Sequence, residues 1–386
     1  MKQVVGTERL PIKLWLDDLE DGALAQAKNL ANLPFAYKHI PLMPDSHQGY
    51  GMPIGSILAT KGVILPNAVG VDIGCGMCAQ KTNLKDLSIS DLKKILGEAR
   101  KVIPLGFNSH DDDQDEVLMP EGYEDLMMVS LGYDKAKRQI GTLGGGNHFI
   151  EIQKGSDGFI WVMIHSGSRN LGYSVAKYYN KAALELNEKY FSQVTSKMEL
   201  AFLPLADEIA QDYIKEMNYC VEFALANRKL MMANMMKSIT KVIGEIETED
   251  VINESHNFAA FENHFGENVM VHRKGATRAF EGELGMIPGS QGTKSYIVKG
   301  LGNPDSFMSC SHGAGRKMGR KQAQRELNLK DEIKLLNDQN IVHAIRNVSD
   351  LDEASSAYKD IDIVMENQKD LAEIVVELQP LAVLKG

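Results

Sequence analysis

The chain has little of what marks a secreted, disulfide-braced or membrane protein. Its 386 residues include four cysteines, Cys75, Cys78, Cys220 and Cys310, too few and too irregularly spaced for a disulfide framework. No stretch approaches the ~20 apolar residues of a bilayer span, and the opening "MKQVVGTERLPIKLW" has no signal-peptide hydrophobic region. The expectation is a cytoplasmic protein with no membrane partner. Several nucleotide motifs are also missing. There is no GxxxxGK[ST] loop, no strand-GxGxxG-helix fingerprint and no KxDG, so P-loop, dinucleotide-binding and lysine-nucleophile enzymes are not indicated. A net charge of -10 argues against general nucleic-acid coating but leaves room for a local basic groove. Acid concentrates in "HDDDQDE" (His110 to Glu116), read as a solvated loop.

What remains is an ordinary globular composition, 44% hydrophobic and 24% charged. "LEDGALAQAKNLANLP" reads as a helix stopped by Pro34, and "ISDLKKILGEARKVIP" as another with Ser90 at its N-cap and Pro104 as its stop. "GFIWVMIHSGSR", "ENVMVHRKGATR" and "TKSYIVKGLG" are apolar runs ending in polar glycine turns, the pattern of buried strands feeding loops. From Leu205 to Ile243 there is no Gly or Pro, and apolar residues recur at helical spacing. Its Met-rich piece "LMMANMMKS" reads as core packing. Together these predict an α+β fold: one mixed α/β catalytic domain, residues 1–386, built around β-sheets with a helical insertion at about 171–245.

Five chemically potent residues stand out: Asp72 and Cys75 in "VGVDIGCGMC", His148 in "GTLGGGNHFIEI", His165 in "HSGSRNLG" and His256 in "HNFA", most of them at an apolar strand end or a glycine turn. Singly, each has a plainer explanation, a turn cap or a hydrogen-bonded structural histidine. Together they make a mixed N/S/O metal-ligand set. The Cys75–Cys78 CxxC alone is weak evidence for zinc. A sixth residue, His312, sits in "SCSHGAGRKMGR" among small neighbours and is followed by Arg316, Lys317, Arg320 and Lys321. Glycine loops such as "GTLGGGN", "IPGSQGT" and "SHGAGR" permit close backbone approach and can form anion-binding nests.

These motifs, taken in order with "MPDSHQGYGMPIGS", "RKGATRA", "AYKDID" and the terminal "KG", resemble the RtcB family of RNA-splicing ligases from about Pro44 to Gly386. The resemblance implies an enzyme that joins an RNA 2′,3′-cyclic phosphate or 3′-phosphate to a 5′-hydroxyl, using GTP and two Mn²⁺ ions, in tRNA splicing or RNA repair. It implies that His312 attacks GTP to form a His–GMP phosphoramidate, with Asp45 orienting the ring, and that GMP then passes to the RNA 3′-phosphate. Asp72, Cys75, His148, His165 and His256 are the implied metal ligands, with Cys75 bridging. Manganese comes with the resemblance, since thiolate and imidazole favour zinc by affinity. Asn147, Glu151, Asn257, Pro288, Gly289, Ser290, Gly313, Ala314, Gly315, Tyr358 and Lys385 are implied GTP contacts, and Arg169, Lys274, Arg316 and Arg320 RNA-phosphate contacts. The chain departs from the pattern at Ser355, where many members carry proline. A phosphoesterase that only opens cyclic phosphates would need the metal set but not His312, Glu151 or Lys385. An RNA-end binding module would need no thiolate. The expected partners are RNA ends and GTP, with an activating protein as an optional one, and the expected state is a monomer.

Overall fold

The computed structural model describes all 386 residues. Two large sheets organise it. The first has six strands in the spatial order Gln3–Val5, Ile12–Leu14, Ile40–His47, Ile54–Thr60, Glu267–Lys274 and Asn257–His264. The second has seven, in the order Ile252–Ser255, Gly76–Lys81, Ile160–Ser166, Phe149–Gly155, Ala372–Lys385, Ser295–Gly300 and Leu284–Ile287. All pairings are antiparallel except that of Ile12–Leu14 with Ile40–His47. The chain passes from the second sheet to the first at a single residue, since Ile252–Ser255 ends one step before His256 and Asn257–His264 begins one step after it. A histidine at that joint is held by both sheets.

The expected strands lie where the apolar runs put them, at Ile160–Ser166, Glu267–Lys274 and Ser295–Gly300. The helix around residue 95 spans Ile89–Val102 and stops before Pro104. Its N-cap is Ser88 and not Ser90. Ser88 has the extended backbone a cap needs, and its hydroxyl accepts from the Asp91 N–H, whereas Ser90 already lies inside the first turn.

Two long helices, Arg169–Lys189 and Glu208–Ile243, carry most of the region expected to be helical. They are woven into the body. Tyr213, Met217, Cys220 and Phe223 join a core with Val69, Ile73, Val175 and Tyr179. Met231, Met232 and Met235 are buried with the sheet residues Ile150, Ile152, Val162 and Ile164, so the Met-rich stretch fills core space as its composition suggests. In the second sheet the three strands from before these helices are flanked on both sides by strands from after them, so both flanks share one framework. No helix is long and apolar enough to cross a membrane.

Candidate active site

Register brings the candidate ligands together. Gly76 pairs with both Ser255 and Ser166, and His165 pairs with Met77 and Phe149. Cys75, His148, His165 and His256 therefore sit at the neighbouring ends of four adjacent strands, and their side chains meet. Cys75 Sγ is 3.5 Å from His148 Nε2 and 3.2 Å from His165 Nε2. Asp72 Oδ2 is 3.1 Å from His148 Nε2, and His256 Nε2 is 3.4 Å from His165 Nε2. Cys75, His148 and His165 thus form a group whose ligand atoms all lie within 4.8 Å of one another, with Asp72 against His148 on one side and His256 against His165 on the other.

The imidazoles are aimed for donation. His148 Nδ1 donates to the Leu143 carbonyl at 2.9 Å and His165 Nδ1 to the Asn147 carbonyl at 3.2 Å. These bonds turn Nε2 of both rings toward the cluster, with the lone pair of His165 facing Cys75 and His148 Nε2 also against Asp72. Burial drives His165 and His256 well below the usual histidine range, helped by neighbouring histidines, so both are neutral. Burial, reinforced by the Asp72 charge, pushes the Cys75 thiol well up. Asp72 is held low: burial opposes this, but the bond to His148 outweighs it. Three imidazoles, a carboxylate and a thiol that a cation can deprotonate make a donor set that fits divalent metal.

His312 stands beside this cluster, its ring centroid 4.8 Å from that of His256. Asp45, fully buried, lies behind it. Asp45 Oδ2 is 2.7 Å from His312 Nδ1 and accepts from the His312 backbone N–H at 3.1 Å. The ring contact is short but poorly aligned, since Nδ1 makes no hydrogen bond of good geometry. Gly315, at φ +73°, lets the loop fold closely over Asp45, and a Cβ there would run into the Asp45 carbonyl.

His312 and His165 open onto a cavity of about 1110 Å³. Its wall includes Asn147, Glu151 and Lys385, the loop residues Pro288, Gly289 and Ser290, the segment Gly313, Ala314 and Gly315, and Tyr358. Of the expected nucleotide contacts only Asn257 is not on this wall. Its side chain donates to the Asp72 carbonyl at 3.1 Å and accepts from Gly275 N–H at 2.7 Å, tying a ligand segment to the other sheet. Ser290 is closed within its own turn, its backbone N–H donating to Thr293 Oγ1 at 2.7 Å. Glu151 is buried and pushed up to about 7, with Gln153 donating to it at 2.7 Å. Burial pulls Lys385 down, opposed by the charges of Glu353 and Glu151.

The expected phosphate cations are engaged within the protein. Arg316 donates to Glu353 Oε2 at 2.9 Å and to the Asp352 carbonyl at 2.5 Å, and lies over the Tyr358 ring. Arg320 Nε donates to Glu353 Oε1 at 2.9 Å while its side chain stays 53% exposed. The Tyr358 hydroxyl also donates to Glu353, which anchors the tyrosine, and the turn Ser355–Ala357 leads directly into it. Lys274 donates to the carbonyls of Tyr50 at 2.5 Å and Asn67 at 2.9 Å, and burial lowers it to about 8. Arg169 donates to Thr142 Oγ1 and the Gly106 carbonyl at 3.1 Å each and is off the cavity wall.

Three supporting residues were missed in the sequence reading. Glu353 gathers Arg316, Arg320 and Tyr358. Asn227 accepts from the N–H groups of Gly141 and Thr142 and donates to the Thr142 and Gly167 carbonyls. Arg228, fully buried, donates to the carbonyls of Gly74, Ser166 and Glu254, each next to or within two residues of a candidate ligand. Neither helical residue carries a distinguishing local signal, since Glu222, Lys229 and Asn234 are other polar residues of the same helix.

A thiol, a carboxylate and three imidazoles beside a histidine that opens onto a glycine-lined cavity describe a metal-using enzyme. Comparison with known proteins identifies which. The family model for the tRNA-splicing ligase RtcB matches residues 26–129 and 123–386. The RNA-splicing ligase RtcB of Escherichia coli K12 is 38% identical, across 100% of this chain and 99% of that protein. The tRNA-splicing ligases RtcB of Nanoarchaeum equitans and Thermococcus kodakarensis are each 33% identical, across 99% and 98% of this chain and 96% and 95% of those proteins. The chain belongs to the RtcB family and is an RNA ligase.

Proposed function

We propose that this chain, as one catalytic domain over residues 1–386 working in the cytoplasm as a monomer, joins RNA 3′-phosphate or 2′,3′-cyclic phosphate ends to 5′-hydroxyl ends at the expense of GTP. The observation that carries this reading is His312 on the cavity wall, with buried Asp45 behind Nδ1 and the ligand cluster beside it. With Nδ1 against Asp45, Nε2 is the nitrogen free to attack. It bonds to the α-phosphorus of GTP and pyrophosphate leaves, giving a His312–GMP phosphoramidate. GMP passes to an oxygen of the RNA 3′-phosphate and the imidazole is restored. The 5′-hydroxyl then attacks the activated 3′-phosphate, releasing GMP and a proton. Cyclic ends are first opened by water.

Asp72, Cys75 and His148 would hold one Mn²⁺ and Cys75, His165 and His256 a second, supplying positive charge against the phosphates. The remaining roles belong to the protein's own groups. Glu151 supports guanine selection, because the N1–H and N2–H donors of guanine favour a charged carboxylate that burial otherwise penalises. Asn147, Asn257, Lys385, Tyr358, the 288–290 turn and the Gly313–Gly315 backbone complete the nucleotide site. Arg320, half exposed with its outer nitrogens free of Glu353, is the leading RNA-phosphate contact. Arg316 and Lys274 share the cavity wall with it, and Arg169, off that wall, is the weakest of the four candidates.

The test is incubation with Mn²⁺ and GTP labelled at the α-phosphate, followed by a denaturing gel. An acid-labile, alkali-stable label that disappears in His312→Ala is expected. Full labelling of His312→Ala would refute the nucleophile assignment. No label on wild-type protein with manganese bound would favour a cyclic phosphoesterase.

A further inference from the structure

We propose that Tyr50, Val71 and Tyr173 form a stacking platform for the nucleobases of the single-stranded RNA end entering the cavity. The inference rests on the ligase reading above and names where that enzyme holds its RNA.

All three residues line the same cavity as His312, and all three leave large apolar groups in solvent, at 71%, 55% and 49% exposure. Neither tyrosine hydroxyl has a protein hydrogen-bond partner, and both rings stay largely in solvent. Scattered exposed apolar residues are normal, but several on one concave wall mark a binding surface. The backbone beneath them is fixed. Buried Lys274 ties the Tyr50 carbonyl to that of Asn67, and the short helix Pro66–Val69, which leads into Val71, packs on the helix Arg169–Lys189 that carries Tyr173. This part of the wall shares no hydrogen bond with the Glu353–Arg316–Tyr358 group on the nucleotide part.

Size and chemistry select the occupant. At about 1110 Å³ the cavity exceeds the roughly 300–1,000 Å³ of an ordinary small-molecule site. Nucleotide bound beside Glu151 and Lys385 leaves space for a second ligand. Aromatic faces suit stacking that tolerates any base. Lys177 lies one turn beyond Tyr173 on the same helix face, exposed and with no carboxylate within 4.0 Å, where it can meet a phosphate of the stacked strand. An RNA end fits these features, and its terminal phosphate or hydroxyl then reaches His312.

The experiment compares wild-type protein with Tyr50→Ala/Tyr173→Ala and with Tyr50→Phe/Tyr173→Phe. GTP labelling and thermal unfolding are followed alongside ligation over a series of RNA concentrations. The alanine pair is expected to label with GTP and to unfold like wild type, while its KM for RNA rises at least tenfold. The phenylalanine pair is expected to restore that KM. RNA with abasic residues next to the joined ends should raise the wild-type KM similarly and add little in the alanine pair. An alanine pair that labels normally and keeps the wild-type KM for RNA overturns the platform, including the case where the tyrosines serve a protein partner instead. Failure of wild-type protein to label overturns the ligase mechanism instead, so the two failures are distinguishable.

Discussion

Replacing Arg228 by methionine removes five hydrogen bonds from behind the ligand cluster, those to Asn253 Oδ1, Gly74 O, Ser166 O, Glu254 O and Ser255 Oγ, at 2.8–3.2 Å. Methionine fills much of the volume but supplies no donor. Each buried acceptor left bare costs ~1–3 kcal/mol. The Gly74 carbonyl keeps the Ser255 hydroxyl at 3.2 Å, so the loss is less than the full set. Relief also comes from no longer burying a guanidinium, which makes no hydrogen bond to a carboxylate and which burial already pulls below the usual arginine range. The net expectation is a destabilisation of about 3 kcal/mol. The functional consequence is sharper, because the lost bonds hold the backbone beside Cys75, His165 and His256. Loss of such outer support typically weakens metal binding 10–100-fold. Arg228→Lys keeps the charge but cannot span all the segments, and falls between. Urea unfolding of metal-free protein, with Mn²⁺ binding by equilibrium dialysis, measures both effects. A methionine variant as stable as wild type would refute the energetic reasoning. One that is destabilised yet binds Mn²⁺ with undiminished affinity would refute the positioning role.

Cys75→Ala is expected to abolish ligation and lower the Mn²⁺ content after dialysis, since the thiol is common to both ligand groups, and unchanged occupancy would contradict the bridging role. Because burial holds the Cys75 thiol protonated in metal-free protein, Mn²⁺ binding should release a proton and tighten as pH rises, which calorimetry in buffers of different ionisation enthalpy detects. Glu262 is held down to about 2: burial opposes this, but the Arg273 charge and the bond from His264 outweigh it. Between about 4.5 and 2 the unfolded chain binds the proton and the folded one does not, so this contribution, roughly 3 kcal/mol at neutral pH, is lost as pH falls through that window. Glu262→Gln should flatten the stability–pH slope there, and an unchanged slope would contradict the assignment. Gly315→Ala forces a side chain into a left-handed position costing ~1–2 kcal/mol and displaces Asp45, so His312 labelling by GTP should slow at least tenfold, which a time course of labelling checks.

Much of the site was legible because its residues carry local signatures. Cys75, His148, His165 and His256 lie at strand ends or glycine turns, where a side chain must leave the apolar layer, and the alternation of runs and turns exposes such positions. The Met-rich helix was legible because an apolar period over 36 residues has no other outlet than a core. The Ser88 cap was misplaced by two residues because Ser88 and Ser90 both offer a hydroxyl near the helix start, and only backbone geometry separates them. Arg228 was overlooked because a buried arginine in a helix looks, in sequence, like a solvated one.

The sequence by itself determined the chemistry available: one thiol, one carboxylate and three histidines near strand ends and turns, and a histidine among glycines. Those are properties of residue type and short-range spacing. Tertiary structure alone decided which of them meet. Cys75 and His256 are neighbours because two strands from opposite sides of two long helices pair in one sheet, and His312 reaches them only across the junction with the other. It also decided that Glu353 holds Arg316 and Arg320, and that an arginine with no paired carboxylate fixes three ligand segments from behind. Pairing register and burial are long-range outcomes of packing, and no local pattern of residues contains them.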